Sequence, residues 1–314
     1  MKFLTDFNNC MRKILVAALP LLFLTSCFTG VEGTRRVVMS KDDIQATLPT
    51  VEDDLTAPLK GEDLASWRPG KEFVALDNRA ALIFDSRTLP PDPLSLSLKG
   101  KTLVYRGSDM RVTPGLDTVR LLIFADSARQ YIYPLKRQTV NSLELPMLTD
   151  KALIDRFDAL LKGKRLWVRN TAWHTGDSMT MQGLKYAPVV ITKVTPGSGV
   201  YPANIHFKCD GKDTAWLPVS LGNAGPASRS FSHQFSLSDP KEQYPGISDE
   251  NWNLIQQQRV VTGMTKTEAR LSRGNPKDVS QGHNSAMLYE LWQYPDGSYM
   301  IFEDGLLTRF KIAQ

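Results

Sequence analysis

The chain has 314 residues, of which 42% are apolar and 23% are charged, a composition typical of a folded protein. Its 38 basic and 33 acidic residues give a net charge of only +5. No run of five or six like charges occurs, so the composition does not favour a nucleic-acid partner.

The first predicted element is an apolar run, Ile14–Leu24, which follows Arg12-Lys13. As a helix this run would reach roughly half of a ~30 Å hydrocarbon core, so it is too short for an ordinary membrane span. A basic start, a short apolar stretch and small residues before a break predict a secretory signal peptide over residues 1–26. Met1 and Met11 are both candidate start sites, because the segment between them is a poor basic region.

The end of this segment, Leu24-Thr25-Ser26-Cys27, resembles the lipobox of bacterial lipoproteins. In that family the cysteine is acylated and becomes the new N-terminus, so the resemblance implies a membrane anchor at Cys27. Each buried methylene contributes about 0.8 kcal/mol, and the several chains of a lipoprotein cysteine hold the protein durably without a spanning helix. Phe28 follows, where Asp would resemble the inner-membrane retention signal of enteric bacteria. We therefore expect the outer membrane of the cell envelope, on the periplasmic side.

The three cysteines of the sequence predict no disulfide. Cys10 lies in the removed segment and Cys27 would be acylated, which leaves Cys209 as a small core or strand residue. Residues 27–66 contain few aromatic residues and lack sustained periodicity, so beyond the lipidated cysteine they predict a flexible tether.

Three sequence blocks then occur twice in the same order. LKGKTLVYR (98–106) matches LKGKRLWVR (161–169) at six of nine positions. The second pair shares VTPG and a closing aromatic residue, and the third pair shares a strand that contains proline. These two pairs are residues 110–124 with 191–207, and residues 130–135 with 214–219. The order indicates an internal duplication.

Each copy predicts short strands, because β-branched and aromatic residues lie between Pro-Gly turns. About five strands in so short a segment are typical of a small, bent antiparallel barrel. We predict two SH3-like β modules, residues 67–137 and 138–222, and then a linker over 223–246. The second module begins with an amphipathic helix over 150–162, capped by Thr149.

The C-terminal part, residues 247–314, predicts two helices and three strands. Ser248 is the expected cap of the first helix, and Thr265 with Glu268 forms a capping box for the second. The strands AMLYELWQY, SYMIFE and LLTRFKI follow, with Asp-Gly turns between them.

This order resembles the small lipoprotein domain called BamE or SmpA/OmlA, over roughly residues 247–312. The resemblance rests on VVTGMTKTEAR, the Gly274-x-Pro276 stop, Leu291-Trp292 with Tyr294, and Ile301-Phe302 before Asp304-Gly305. It implies two helices packed on a three-stranded antiparallel sheet. The matched residues determine the fold and carry no chemistry. The whole chain is therefore predicted to be α+β and mostly β.

The sequence predicts neither catalytic residues nor a metal or cofactor. The four histidines lack metal-ligand spacing, and His206 and Cys209 lie three apart in a predicted strand, where side chains point to opposite faces. Gly282-His283-Asn284-Ser285-Ala286 lacks the second glycine of a nucleophile elbow. The acidic pairs Asp53-Asp54 and Asp249-Glu250 lie in the predicted tether and in a first helical turn.

The candidate binding residues are the basic residues that flank the repeated blocks, with one tryptophan as a partner contact. They are Lys101, Lys164, Arg106, Arg169 and Trp292. The basic residues either form a rim for anionic polymers and lipid headgroups, or simply protect an edge strand. Trp67, Trp167, Trp173 and Trp216 are either sugar platforms or core residues.

The sequence thus favours a non-catalytic envelope lipoprotein, held in the membrane by its lipid, that binds other envelope proteins as a scaffold. The alternative is a module that binds peptidoglycan or another cell-wall glycan through its SH3-like domains. A third hypothesis, an envelope hydrolase, requires a cleft in which a Ser, Cys or His lies beside a base.

Overall fold

A computed structural model describes residues 50–112, 118–135, 144–176, 180–209, 211, 214–222, 227–283 and 288–313. The predicted signal peptide and Cys27 lie outside these residues, and so does the tether as far as residue 49. Within the described ranges, no helix combines the length and the apolar character needed to cross a bilayer. The fold is α+β and mostly β, with three antiparallel sheets and a few helices.

The first sheet has five antiparallel strands in the order β4-β3-β2-β1-β5. The strands are β1 (Glu72–Ala75), β2 (Thr102–Val112), β3 (Thr118–Ala125), β4 (Gln130–Leu135) and β5 (Leu148–Asp150). Aromatic rings fill its inner face: Phe124 lies 5.5 Å from Phe73 and 5.7 Å from Tyr105, measured between ring centroids. The segment between β1 and β2 covers this face with buried residues that include Ala80 and Leu98.

The second sheet has seven strands in the order β12-β6-β9-β10-β11-β7-β8. They are β6 (Arg165–Val168), β7 (Ala172–His174), β8 (Thr180–Gln182), β9 (Ala187–Ser198), β10 (Tyr201–Cys209), β11 (Thr214–Val219) and β12 (Phe235–Ser236). Two helices pack on its inner face, α2 (Lys151–Leu161) and α3 (Phe231–Gln234). The cap of α2 is Asp150, which accepts from Ala152 N–H, and not Thr149 as predicted, because the helix begins at Lys151 and Asp150 directly precedes it.

Five strands of the second sheet repeat the order and register of the first. The order β4-β3-β2-β1-β5 corresponds to β11-β10-β9-β6-β12. Gly70 N–H donates to Tyr105 O (2.8 Å) beside β1, and Gly163 N–H donates to Ile191 O (2.9 Å) beside β6. A β-bulge follows Tyr105 in β2 and another follows Ile191 in β9. The shared hydrogen bonds and bulge define which positions of the two sheets are equivalent.

These equivalences correct the predicted alignment of the repeated blocks. Residues 130–135 and 214–219 do occupy equivalent strands, β4 and β11. LKGKTLVYR, however, enters β2, whereas LKGKRLWVR enters β6, the equivalent of β1. In both copies LKGK is a turn whose glycine has a positive φ, 80° at Gly100 and 81° at Gly163. The similarity therefore reflects a local need for this turn and not a common position. VTPG is also displaced, because Val112 corresponds in register to Ser198.

Two predicted domain boundaries also differ from the structure. Strand β5, predicted to lie in the second module, pairs with β1 in the first sheet. The predicted linker over 223–246 contains Phe231 and Phe235, which are 2% and 0% exposed and belong to the second core. The sequence analysis assigned both segments to the wrong part of the chain, because short strands at a sheet edge have weak sequence signals.

The last part of the predicted tether is packed against the body. Helix α1 (Val51–Thr56) places the Glu52 carboxylate, 3% exposed, beside the free edge of β12. Glu52 Oε1 accepts from Leu237 N–H at 2.9 Å, and Arg169 Nη2 lies 3.7 Å away. Burial alone would raise the pKa of Glu52, but these partners outweigh it and lower the pKa below its ordinary value. Glu52 thus covers an edge strand that would otherwise expose an unpaired backbone donor.

The C-terminal domain has helices α4 (Asp249–Gln256) and α5 (Lys266–Arg273) packed on a terminal sheet of order β13-β14-β15-β16. Its strands are β13 (Asp278–His283), β14 (Leu288–Gln293), β15 (Tyr299–Glu303) and β16 (Leu306–Lys311). The predicted capping box of α5 is confirmed, since Thr265 N–H donates to Glu268 Oε2 at 2.7 Å. The three predicted strands are present as β14, β15 and β16, and the sheet has a fourth strand, β13, that the sequence analysis did not predict.

A buried lysine joins this domain to the second sheet. Lys185 precedes β9, and its backbone N–H donates to Gln256 O at the end of α4. Its ammonium donates to Leu271 O at 2.5 Å, near the C-terminus of α5. Next to it, the Tyr186 ring stacks on Trp252 at 5.5 Å. Burial lowers the pKa of Lys185 to about 8.

We expect Glu52→Ala to lower the free energy of unfolding by about 1–3 kcal/mol, because the partly buried Leu237 N–H loses its acceptor. Urea denaturation measures this loss. The pKa of Glu52 is lowered in the folded state, so the contribution is present at neutral pH and disappears as pH falls through that lowered pKa. Asp54→Ala, at an exposed position of the same helix, is the control and should change stability little. Equal effects of the two variants would contradict the assigned role of Glu52.

We expect the stability of the protein relative to Lys185→Met to rise with pH above about 8. The unfolded chain keeps the lysine proton up to its ordinary value of 10.5, and the folded chain keeps it only up to about 8. The unfolded state therefore binds more protons in this window, which makes stability increase with pH. Urea denaturation from pH 7 to 10.5 measures the difference, with exposed Lys60→Met as the control. A constant difference across the window would contradict this prediction.

Candidate functional site

Trp292, predicted as a partner contact, is a core residue. Its ring is 0% exposed and lies 4.5 Å from the Phe302 ring. The Arg270 guanidinium covers it at 5.0 Å, and its indole N–H donates to Glu290 at 3.0 Å. The prediction was wrong because an aromatic residue in a strand packs inward or outward according to register, which the sequence pattern left open.

The four predicted basic residues are not brought together. Arg169 is half-buried beside Glu52, where it supports the packing of α1. Lys101 is exposed, but its ammonium donates to Leu96 O at 3.0 Å. Arg106 and Lys164 are exposed at the β2 bulge and in the turn before β6. Since β2 is a central strand and β6 lies between β12 and β9, the alternative of edge-strand protection was also wrong.

One cleft of about 160 Å³ contains a serine beside a histidine. Ser230 Oγ lies 2.7 Å from His233 Nδ1 and 3.1 Å from Ser232 Oγ. Ser230 is the cap residue of the four-residue helix α3, and His233 is its third residue, so the contact joins two side chains of one short helical turn. The nearby carboxylate, Asp53, accepts from Ser232. No described acceptor orients the other ring nitrogen of His233, as a catalytic base would require.

The outer face of the second sheet carries cations and aromatic rings. Arg165, Val190 and Lys208 form one row across β6, β9 and β10. The next row continues across the sheet from β9 to β7 with Lys193, His206, Trp216 and His174. We call these seven residues the basic aromatic face. A groove of about 440 Å³ follows its first row.

The histidines of this face hold Trp216 in place. The His174 ring stacks on Trp216 with centroids 4.3 Å apart, and the His206 ring lies 6.3 Å from it. His206 Nε2 lies 2.9 Å from Thr195 Oγ1. Burial, and the charge of Lys193, lower the pKa of His206 below its ordinary value. His206 therefore acts as a neutral polar group at neutral pH and leaves the positive charge to the lysines and the arginine.

The terminal sheet provides another exposed surface, on the face opposite its helices. Its apolar residues are Tyr289, Leu291, Tyr299 and Ile301, which we call the terminal-sheet face. The tyrosines are 41% and 37% exposed. Gly282 of β13 makes room for the Tyr289 ring, since a Cβ there would lie 2.3 Å from that ring. A groove of about 520 Å³ runs beside Leu291 and Tyr299.

The predicted tryptophan platforms divide into two groups. Trp67 and Trp173 are 6% and 5% exposed and belong to the two cores. Trp167 and Trp216 are half-buried on the outer face of the second sheet.

Cys209 lies half-buried in β10 against the second core, away from the side of the sheet that carries His206. Among the described residues, no three His, Cys, Asp or Glu side chains lie close enough to hold a metal.

No protein-family model matches the chain, and neither a curated protein nor a solved structure matches it. Sequence reasoning missed the basic aromatic face, because its members come from strands far apart in the chain. The one signal was the alternation of Lys193, His206 and Lys208 with apolar residues in adjacent predicted strands.

Proposed function

We propose that the chain is a non-catalytic lipoprotein of the cell envelope, anchored through acylated Cys27 and facing the periplasm from the outer membrane. The observation that carries this proposal is the lipobox-like Leu24-Thr25-Ser26-Cys27 at the end of a short apolar run. Phe28, the residue after the cysteine, supports placement in the outer membrane, because Asp at this position would resemble the inner-membrane retention signal.

The proposal includes a modular body. The first two sheets are copies of one small SH3-like module, a proposal supported by their equivalent order, hydrogen bonds and bulge. The C-terminal domain is a variant of the BamE-like domain, supported by the two capped helices on an antiparallel sheet. The additional strand β13 extends that sheet beyond the three strands of the family.

The body acts as a scaffold that binds other envelope proteins. The terminal-sheet face supports this role, because it exposes two tyrosines beside Leu291 and Ile301 on a side that no described helix covers. Tyrosine is enriched at protein interfaces, where its ring buries a large area at a small entropic cost. Core residues such as Trp292 support this face from the opposite side of the sheet.

Labelling with radioactive palmitate in a bacterial host tests the anchor. We expect the wild-type protein to incorporate label and to sediment with membranes, and Cys27→Ala to do neither, because the acylated sulfur is absent. Cys209→Ala is the matched control and should retain both properties. An unlabelled wild-type protein, or a labelled Cys27→Ala variant, would contradict the proposed anchor.

Purification of the full chain from detergent-solubilised envelopes tests the scaffold role. We expect the double variant Tyr289→Ser/Tyr299→Ser to lose its co-purifying proteins, because loss of two interface aromatic rings commonly costs more than 1 kcal/mol each. Mass spectrometry identifies the proteins. Leu184→Ser, another exposed apolar position, is the control. The same set of proteins with the double variant and with wild type would argue against binding through this face.

A further inference from the structure

The basic aromatic face carries three cations without ion-pair partners in the described part of the chain. Arg165, Lys193 and Lys208 are exposed, and no described carboxylate lies within 4.0 Å of them. Val190 lies between Arg165 and Lys208 in register and is 41% exposed. Unpaired cations on one face repel each other, so an anionic partner would stabilise this arrangement.

The fold does not require these cations. The positions of the first sheet equivalent to Arg165, Lys193 and Lys208 are Glu72, Gly107 and Ala125. Glu72 pairs with a lysine at 2.5 Å, and the other two positions are uncharged. The first sheet therefore forms the same strand order and bulge without cations at these three positions. Edge protection does not explain the cations either, since β9 and β10 are central strands.

The tryptophans on the outer side of the second sheet also have no aromatic counterparts in the first sheet. Trp167 and Trp216 correspond to Val74 and Ile132, which are aliphatic. The His174 ring orients Trp216 by stacking at 4.3 Å. Half-buried rings in a sheet present a platform to a ligand rather than apolar side chains that protrude into a bilayer.

A polar acceptor lies beside the platform. Asn204 is adjacent to His206 on the same side of β10, and its side-chain oxygen is buried without a hydrogen-bond partner among the described groups. Because this oxygen is buried in the free protein, a ligand hydroxyl group would donate to it only after the Asn204 side chain turns outward, and hydrocarbon would not donate to it. The face thus combines cations, aromatic rings and an acceptor.

We infer that the basic aromatic face binds an acidic polysaccharide, a chain of sugar rings that bear carboxylates. Arg165 and Lys208 pair with carboxylates along the groove, and the guanidinium fork of arginine matches the two carboxylate oxygens. Trp216, one face of which is covered by the His174 ring, contacts a sugar ring with its exposed part. The inference goes beyond the proposed scaffold role, since it concerns another face and another class of partner, and it does not require the lipid anchor.

Titration calorimetry of the full chain, kept in detergent, with polygalacturonate and with hyaluronate tests the inference. We expect binding of at least one of these carboxylated chains, weakening as salt increases. Fully methyl-esterified polygalacturonate, which has the same sugar rings without the charge, should bind at least tenfold more weakly.

The variant Arg165→Gln/Lys193→Gln/Lys208→Gln should lose at least tenfold in affinity. The matched control Lys60→Gln/Lys99→Gln/Arg106→Gln removes the same charge from exposed positions elsewhere and should change affinity less than twofold. Trp216→Leu keeps the charge and should also weaken binding. Urea midpoints of all variants establish that they are folded.

Three results would overturn the inference: no binding to either polymer, equal losses in the two triple variants, or tighter binding to phosphatidylglycerol vesicles than to the polymers. The last result would identify a membrane surface as the partner. Palmitate labelling is independent of all these measurements, so failure of the ligand assignment and failure of the anchor are distinguishable.

Discussion

An antiparallel sheet in this protein buries one face under helices or covering segments, and this constraint decides which side chains are available for binding. In the terminal sheet, Trp292 points toward the helices and its strand neighbour Leu291 points away from them. The second sheet likewise places Phe207 inside and His206 outside. Because strand side chains alternate, a shift of register by one residue would exchange the core with the binding face. Core packing and the exposed surfaces therefore depend on the same register.

The two equivalent sheets separate what the fold needs from what it does not need. Both keep a glycine before the strand equivalent to β1, the bulge after Tyr105 or Ile191, and a phenylalanine opposite that bulge position. These features bend the sheet and fill its interior. The cations of the basic aromatic face and the outer tryptophans have no counterparts at the equivalent positions of the first sheet. Such differences between the two sheets are where a binding role is expected, since stability does not select them.

Local signals in the sequence predicted local structure well. The capping box at Thr265 and Glu268 is present, and the amphipathic segment after Asp150 forms α2 within a residue of its predicted bounds. Capping and amphipathic periodicity depend on neighbours within four residues, so they can be recognised without knowledge of the fold. Short edge strands cannot be recognised in this way. Strands β5 and β12 contain three and two residues, and only their partners make them strands.

The sequence by itself determined the lipobox-like segment, the capped helices and the mostly β character, because each depends on chain neighbours or on composition. The tertiary structure alone decided that Glu52 closes a sheet edge, that Lys185 joins two domains, and that Arg165, Lys193 and Lys208 share one face. It also decided that Trp292 is core and Tyr289 surface. These outcomes follow from strand pairing between segments far apart in the chain. The pairing is set by burial of all inner faces together, a condition that no short stretch of sequence records.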